Sequence, residues 1–360
     1  MSALALAFAL AGTVRAEEVA VAAPGSALRL DLEVAGEVRQ TLPDAGLSRE
    51  LRLSRAMLGL GVERVGPASA RVQLQAVRSG GESGYIGIAG ESIVPRFQVA
   101  EAGLDASLGG ELRLVAGLVL DPWVDGAQQA WGQRSLGPVM AEEQAWMSPS
   151  DIGGTVRWVM AGRLLGAAVG LQTGEGLAAR ERNDGQDLVG LLELRPLAGI
   201  GSELLTVAVM GRDGSRGVAL ARDHRLGARI HTEHRWVQGG VEALAGWGLD
   251  GDPARVPGGL SAWVTTGDAL PALAWGRLDL CRDDRKDPET GSSTWRLGGG
   301  PALGGRRHRQ AIFLVLGLEG RRYGRDAAAL AGAGEAAAAT AFFLQVGSRL
   351  AAEGAVSVLP

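Results

Sequence analysis

The stretch Leu28-Arg29-Leu30-Asp31-Leu32-Glu33-Val34-Ala35-Gly36-Glu37-Val38-Arg39 alternates without a break. Its even positions are Leu28, Leu30, Leu32, Val34, Gly36 and Val38; its odd positions hold Arg29, Asp31, Glu33, Ala35, Glu37 and Arg39. A helix would scatter these side chains around its surface. A strand sends successive side chains to opposite faces, so every charge falls on one face and every large apolar group on the other.

The same period returns along the chain. Ala68, Ala70, Val72, Leu74 and Ala76 oppose Ser69, Arg71, Gln73 and Gln75; Leu112, Leu114, Ala116, Leu118 and Leu120 oppose Glu111, Arg113 and Gly117. Leu226, Ala228 and Ile230 oppose Arg225, Arg229, His231, Glu233 and Arg235. Leu278 and Leu280 oppose Arg277 and Asp279, and Phe342, Leu344, Val346 and Leu350 oppose Gln345, Gly347 and Arg349. A soluble sandwich would need bulky apolar residues packed to interior density on the shared face. Here that face is largely Ala, Gly and Leu, and the opposite face is rich in arginine. Such a division suits a lipid-facing exterior and a wetted interior. Strands in a membrane leave no edge unpaired, so they close into a barrel.

The sequence predicts about sixteen antiparallel strands, starting near residues 28, 50, 68, 96, 111, 152, 164, 187, 203, 225, 238, 258, 272, 293, 309 and 339. Those near 203 and 293 have the weakest pattern, and fourteen or eighteen strands remain as alternatives. The connections alternate in length. Residues 65–67, 107–110, 162–163, 237–240 and 268–271 read as tight turns. Residues 79–95, 121–150, 174–186, 211–224, 282–292 and 321–338 read as long loops, as an up-and-down transmembrane barrel requires. Residues 121–150 are the longest of these and the third on their side. The alanine-rich stretch 326–340 reads either as a short helix or as a surface loop.

Composition supports this class. Of 360 residues, 56 are glycine. Beyond the N-terminus no uncharged apolar run reaches the ~18 residues of a spanning helix. The formal charge of −4 leaves no basic footprint for nucleic acid. One cysteine, Cys281, excludes an internal disulfide and a cysteine zinc cluster. The N-terminus reads as an export signal: residues 3–11 are an apolar core and Val14-Arg15-Ala16 a small-residue cleavage site, though no basic segment precedes the core. The expected organisation is a signal peptide over 1–16, a lead over 17–27, the barrel over 28–350 and a tail over 351–360.

Three segments carry a resemblance. Ser148-Pro149-Ser150-Asp151-Ile152-Gly153-Gly154 precedes a strand; Ala167-Ala168-Val169-Gly170-Leu171-Gln172-Thr173-Gly174-Glu175-Gly176 ends one; and Asp187-Leu188-Val189-Gly190-Leu191-Leu192-Glu193-Leu194-Arg195-Pro196 is a strand ending near proline. With Asp121-Pro122-Trp123 upstream, and Gly259-Leu260-Ser261-Ala262-Trp263 and Gly276-Arg277-Leu278-Asp279-Leu280 downstream, this order resembles the phosphate-selective porins O and P. The resemblance spans about residues 28 to 350 and lies in spacing and hairpin order. It departs where Thr173 replaces the family's Asn, and where the chain runs past its last predicted strand. Tyrosine is scarce; Trp123, Trp158, Trp236, Trp247, Trp263 and Trp295 are candidates for the aromatic girdles.

The resemblance implies a bacterial outer-membrane channel for small hydrophilic solutes or anions, surrounded by outer-membrane lipids and assembled as a homotrimer. It also implies that residues 121–150 fold inward and narrow the lumen. Candidate lining groups are Asp125, Arg134, Glu142 and Glu143 in that loop. On the strands they are Arg29, Arg71, Arg113, Arg157, Glu193, Arg195, Arg229, Arg235 and Arg277. The bland reading is that such arginines pair with neighbouring carboxylates, as Arg195 does with Glu193, and solvate the wall. Phosphate selectivity is not expected, because the loop is more acidic than basic and Lys286 is the one lysine. The alternative function is a non-conducting barrel with a structural or adhesive role.

No enzyme, cofactor or metal is expected. His231 and His234 fall on opposite strand faces. Asp283, Asp284, Asp287 and Glu289 lack a calcium-loop spacing. Gly298-Gly299-Gly300 does not open a helix after a strand. No Gly-x-Ser-x-Gly elbow is present.

Overall fold

The computed structural model describes residues 22–43, 48–65, 67–79, 92–174, 176, 185–198, 205–215, 222–249, 252–267, 269–303, 310–324 and 338–357. Strand β1 (Ala22–Pro43) is followed by β2 (Ser48–Val65), β3 (Ala68–Ser79), β4 (Ser92–Ser107) and β5 (Gly110–Leu120). The long loop holds helix α1 (Pro122–Trp131), a 3₁₀ turn (Arg134–Leu136) and the single-turn α2 (Met140–Glu143). Then come β6 (Ser150–Met160), β7 (Leu165–Gln172), β8 (Asp187–Leu194), β9 (Thr206–Ser215), β10 (Arg222–Glu233) and β11 (Val237–Trp247). β12 (Gly258–Thr266), β13 (Ala272–Arg282), β14 (Gly291–Leu303), β15 (Gln310–Tyr323) and β16 (Ala338–Ser357) complete the chain. Each strand pairs antiparallel with its sequence neighbours, and β1 pairs with β16, which closes a sixteen-strand barrel.

Alternation decides the faces. Along β1, Glu33, Ala35 and Glu37 are buried inside while Val34 and Val38 are exposed outside. The outer surface carries Leu60, Leu104, Ile152, Leu171, Leu226, Leu260, Leu316 and Phe342, all half to two-thirds exposed. In water such a sheath would be unstable; against hydrocarbon it is the expected surface. The inward set includes Arg55, Asp151, Asp187, Arg225, Arg229, Glu242, Arg277, Asp279, Arg296 and Glu319.

Residues 237–240, expected as a turn, open β11, the reversal falling at 234–236, and the expected loop 211–224 yields 211–215 to β9 and 222–224 to β10, because the alternation there carries on through glycine. The largest differences in strand limits lie at the two ends of the barrel. β1 starts at Ala22 and β16 continues to Ser357, where the sequence alone had them start near 28 and stop at Leu350. The reason is closure: residues 27–31 of β1 need a partner on the β16 side, and Ala351 to Ala355 supply it. The signal-peptide expectation lies outside the described residues. So does most of 326–340, of which Ala338 to Thr340 open β16.

Glycine marks one of the tight reversals clearly. Between β6 and β7, the Arg163 N–H donates to the Met160 carbonyl at 2.8 Å, with Gly162 at φ 80 in the turn's third position. Positive φ there favours glycine.

Candidate functional site

The apolar core lies inside the barrel, between the long loop and the wall. Helix α1 forms because its ends are satisfied. Asp121 accepts hydrogen bonds from the Trp123 and Val124 N–H groups at 2.9 and 3.0 Å, Pro122 occupies the first turn, and Gly132 closes the end at φ 61. Its buried residues Trp123, Val124, Ala127, Ala130 and Trp131 share one face at helical spacing. The Trp123 ring fills the space over Gly227 of β10, where a Cβ would stand 2.8 Å from it. Trp131 meets Trp275 of β13 edge-on, with centroids 5.9 Å apart.

Charge fastens the loop to the wall. The Arg229 guanidinium stacks on the Trp123 ring at 4.5 Å and donates to the Trp123 carbonyl at 3.3 Å, with Glu242 at 3.6 Å and Glu193 at 3.9 Å. Arg277 lies 5.5 Å from the Trp131 ring and pairs with Asp279 at 2.9 Å. Glu143 of α2 takes both terminal nitrogens of Arg296, one at 2.8 Å, with Arg321 at 3.4 Å and Arg277 at 3.9 Å. Glu319 of β15 joins this cluster to Arg296 at 2.7 Å and to Arg39 of β1 at 2.8 Å. Gln345 of β16 donates to the Ser135 carbonyl in the 3₁₀ turn. The loop is thereby held from β10 round to β16.

The loop carboxylates differ. Burial acts to raise Glu143, but the Arg296 hydrogen bonds and the charges of Arg277 and Arg321 outweigh it and hold the group below the usual carboxylate range. Glu142 is raised by burial, only partly offset by Arg134 at 2.5 Å. Burial lowers Arg134 itself to about 10, against the pull of Glu142. Asp121 is raised by burial, despite Arg212 at 3.4 Å and its two backbone donors.

Of the predicted lining residues, Arg29, Arg71, Arg113, Arg157, Glu193, Arg195, Arg229 and Arg277 all stand on the inner face. Asp125, Arg134, Glu142 and Glu143 lie on the inward loop. Arg235 does not belong with them. It sits exposed in the turn between β10 and β11, 5.1 Å from the Trp236 ring, because β10 ends at Glu233. Among the tryptophans proposed for girdles, Trp123 and Trp263 are buried inside the barrel, since Trp123 belongs to the loop helix and Trp263 to an inward position. Trp247 and Trp295 are exposed on the outside, and Trp236 is exposed in the turn between β10 and β11.

The inner arginines span a range of exposure, with Arg39, Arg55, Arg195 and Arg212 at 7–15% between two extreme sets. Arg225, Arg229, Arg277 and Arg296 have side chains at most 5% exposed. Arg29, Arg71, Arg113 and Arg157 are 34–41% exposed. Their carboxylate partners are Asp31 at 2.7 Å, Glu101 at 3.2 Å, Asp105 at 3.8 Å and Asp125 at 2.9 Å. Three of those acids are withdrawn to 7–13% exposure; Asp105 alone matches its arginine at 41%. On this part of the wall the guanidinium groups therefore meet the water. Beneath α1 a chamber of about 200 Å³ is lined by Pro122, Gly126 and Gln129 of the loop and by Arg157, Glu193 and Arg195 of the wall.

Sequence reading passed over Arg39, Arg55, Arg296, Glu319 and the Arg212–Asp187 pair. Arg55 contacts Glu33 at 2.7 Å and shares the inward face with Met57, Gly59 and Gly61. The same alternation marks all of these; Arg39 stands on the charged face of the opening stretch, and glycine neighbours thin the pattern around Arg212, Arg296 and Glu319. Helix α1 was equally open to notice, from Asp-Pro at one end, Gly132 at the other and the apolar spacing between.

No protein-family model matches the chain, and no curated protein sequence matches it. Solved structures do. The barrel is similar to an anion-selective porin from Comamonas acidovorans, with TM-score 0.59 and 15% identity over 91% of this chain and all of that one. It is similar to OprB from Pseudomonas putida, with TM-score 0.60 and 9% identity over 90% of this chain and 94% of that one. The outer-membrane channel DcaP of Acinetobacter baumannii matches at TM-score 0.53 and 9% identity, over 92% and 99%. At these identities the likeness is one of architecture: the chain has the barrel fold of outer-membrane porins.

Proposed function

We propose that this protein is a passive diffusion channel of the bacterial outer membrane, passing small hydrophilic solutes and ions with a mild preference for anions. It uses no covalent chemistry and assembles as a homotrimer; trimeric forms occur among its structural neighbours, such as OmpT of Vibrio cholerae. The reading fits the apolar sheath outside the closed barrel and the charged wall within it. The anion preference rests on one observation: Arg29, Arg71, Arg113 and Arg157 reach the water while most of their carboxylates are withdrawn. Conduction requires sites weak enough to release the solute, and arginines already partnered by acids meet that condition.

The sequence likeness to phosphate-selective porins adds no phosphate specificity, because the loop presents Glu142 and Glu143 as well as arginine. Planar-bilayer recording in asymmetric chloride salt tests the proposal. Stepwise current with a reversal potential on the anion side supports it. Absence of current from correctly folded protein favours the sealed, structural barrel; a reversal potential on the cation side removes the anion preference.

A further inference from the structure

On the outside of the barrel, across β9 to β15, a groove of about 1540 Å³ opens near the end that bears the long connections. Its floor is set low by the small side chains Ala228, Ala243 and Ala245, and its flanks are the exposed Leu260 and Leu280. Its exposed side chains Val209, Leu226, Leu260 and Leu280 take outward strand positions, and among the described residues none of the inward loop lines it, so it lies on the outer surface. At its upper end stand Arg282, Arg285 and Arg322, all exposed. Glu289 is the acid among its lining residues.

The register places these cations together. Arg282 ends β13 on the outward face; Leu280, one outward step below, pairs with Ser293 of β14, which pairs with Arg322 of β15. Arg282 and Arg322 are thus two strands apart, about 10 Å, and about two residues apart in height. Both side chains reach one phosphate-sized anion from there, with the groove-lining Ser293 between them. Arg285 lies over Gly258, with its guanidinium 5.2 Å from the outward Trp247 ring and its Nε donating to the Val256 carbonyl at 3.4 Å. Outward tryptophans mark headgroup depth, and Trp247 and Trp295 lie on this arc. Arginine on a lipid-facing surface is costly within hydrocarbon. At headgroup depth above an apolar groove it recognises a phosphorylated lipid: the guanidinium groups take the phosphate and the groove takes an acyl chain.

We infer that this groove holds a phosphate-bearing lipid of the surrounding leaflet, bound by Arg282, Arg285 and Arg322. The inference rests on the barrel spanning a membrane, and the conductance control separates failure of one from failure of the other. Native mass spectrometry of protein exchanged into detergent with phosphatidylglycerol, phosphatidylcholine or inorganic phosphate provides the test. The expected result is retained phosphatidylglycerol, little phosphatidylcholine and no inorganic phosphate. Retention should fall roughly thirtyfold in the Arg282→Gln/Arg322→Gln variant, about five- to sixfold for each arginine. Ala243→Trp, which fills the floor, should abolish it, while both variants keep wild-type single-channel conductance. Equal retention of the two lipids, unchanged retention in the double variant, or binding of free phosphate alone would overturn the inference.

Discussion

Two arcs of the inner wall carry the same residue in the same alternating pattern and put it to different use. From β10 to β14, Arg225, Arg229, Arg277 and Arg296 are sealed, most of them against the inward loop. From β1 to β6, Arg29, Arg71, Arg113 and Arg157 stay a third or more exposed, while Arg39 and Arg55 on the same arc are sealed by Glu319 and Glu33. The difference lies in what faces each arginine rather than in the strand that bears it. Where α1, the 3₁₀ turn and α2 press on the wall, guanidinium groups become fasteners. Where a guanidinium is left open, away from the loop at Arg29, Arg71 and Arg113 or at its edge at Arg157, it becomes the surface that a passing ion meets.

The largest effect should come from cutting a fastener. Glu143→Ala leaves Arg296, Arg277 and Arg321 facing one another without their shared acid. Breaking a buried ion cluster of this kind costs about 3–5 kcal/mol. Most of that should appear as loop release, seen as larger and noisier single-channel currents and faster proteolysis within residues 121–149, with the barrel intact. Trp123→Ala should follow closely, at about 3–5 kcal/mol for a buried indole. It also strips Arg229 of its ring, and thermal unfolding followed by near-ultraviolet circular dichroism reads the loss.

A charge reversal on each arc sharpens the contrast. Arg113→Glu should move the reversal potential in asymmetric salt toward cations while leaving the loop in place, because its partners Asp105 and Ser69 stand on strands and not on the loop. Arg229→Glu should loosen the loop, because it buries a carboxylate beside Glu242 and Glu193. Similar reversal potentials for the two variants, without loop release in either, would erase the distinction.

Acid gives a smaller effect. Glu143 is held below the ordinary carboxylate value of about 4.3. Its contribution to stability is therefore complete above that ordinary value and is lost only as pH falls through its lower folded value. Glu142 has the opposite sign, since burial raises it, so it takes up its proton first on acidification. Between the two, the loop loses one negative charge while the Arg296 clamp persists. Reversal potentials measured on descending pH should drift further toward anions before channel noise increases; noise appearing first would contradict this order.

How much of this was legible beforehand follows from the same contrast. The barrel is written in the period-two pattern around Leu28 to Arg39, and strand starts such as 68, 187, 258 and 272 coincide with those observed. The span of the inward loop, 121–150, was equally plain from the interruption of that pattern. Alternation tells which face a side chain takes and nothing about what packs on that face. Arg113 and Arg277 therefore looked alike in sequence. The strand limits at Ala22 and Ser357 escaped notice because closure is imposed by the partner strand, and the residues concerned alternate poorly. Arg235 was misplaced because β10 stops at Glu233, two residues short of it.

The division between the arcs is tested most directly by thiol accessibility during conduction. In a Cys281→Ser background, Arg113→Cys and Arg277→Cys are each exposed to a charged methanethiosulfonate reagent while single channels are recorded. The account predicts that the reagent steps down the current through the Arg113→Cys channel within seconds and leaves the Arg277→Cys channel unchanged. Equal modification of both, or reaction at residue 277 alone, would contradict it.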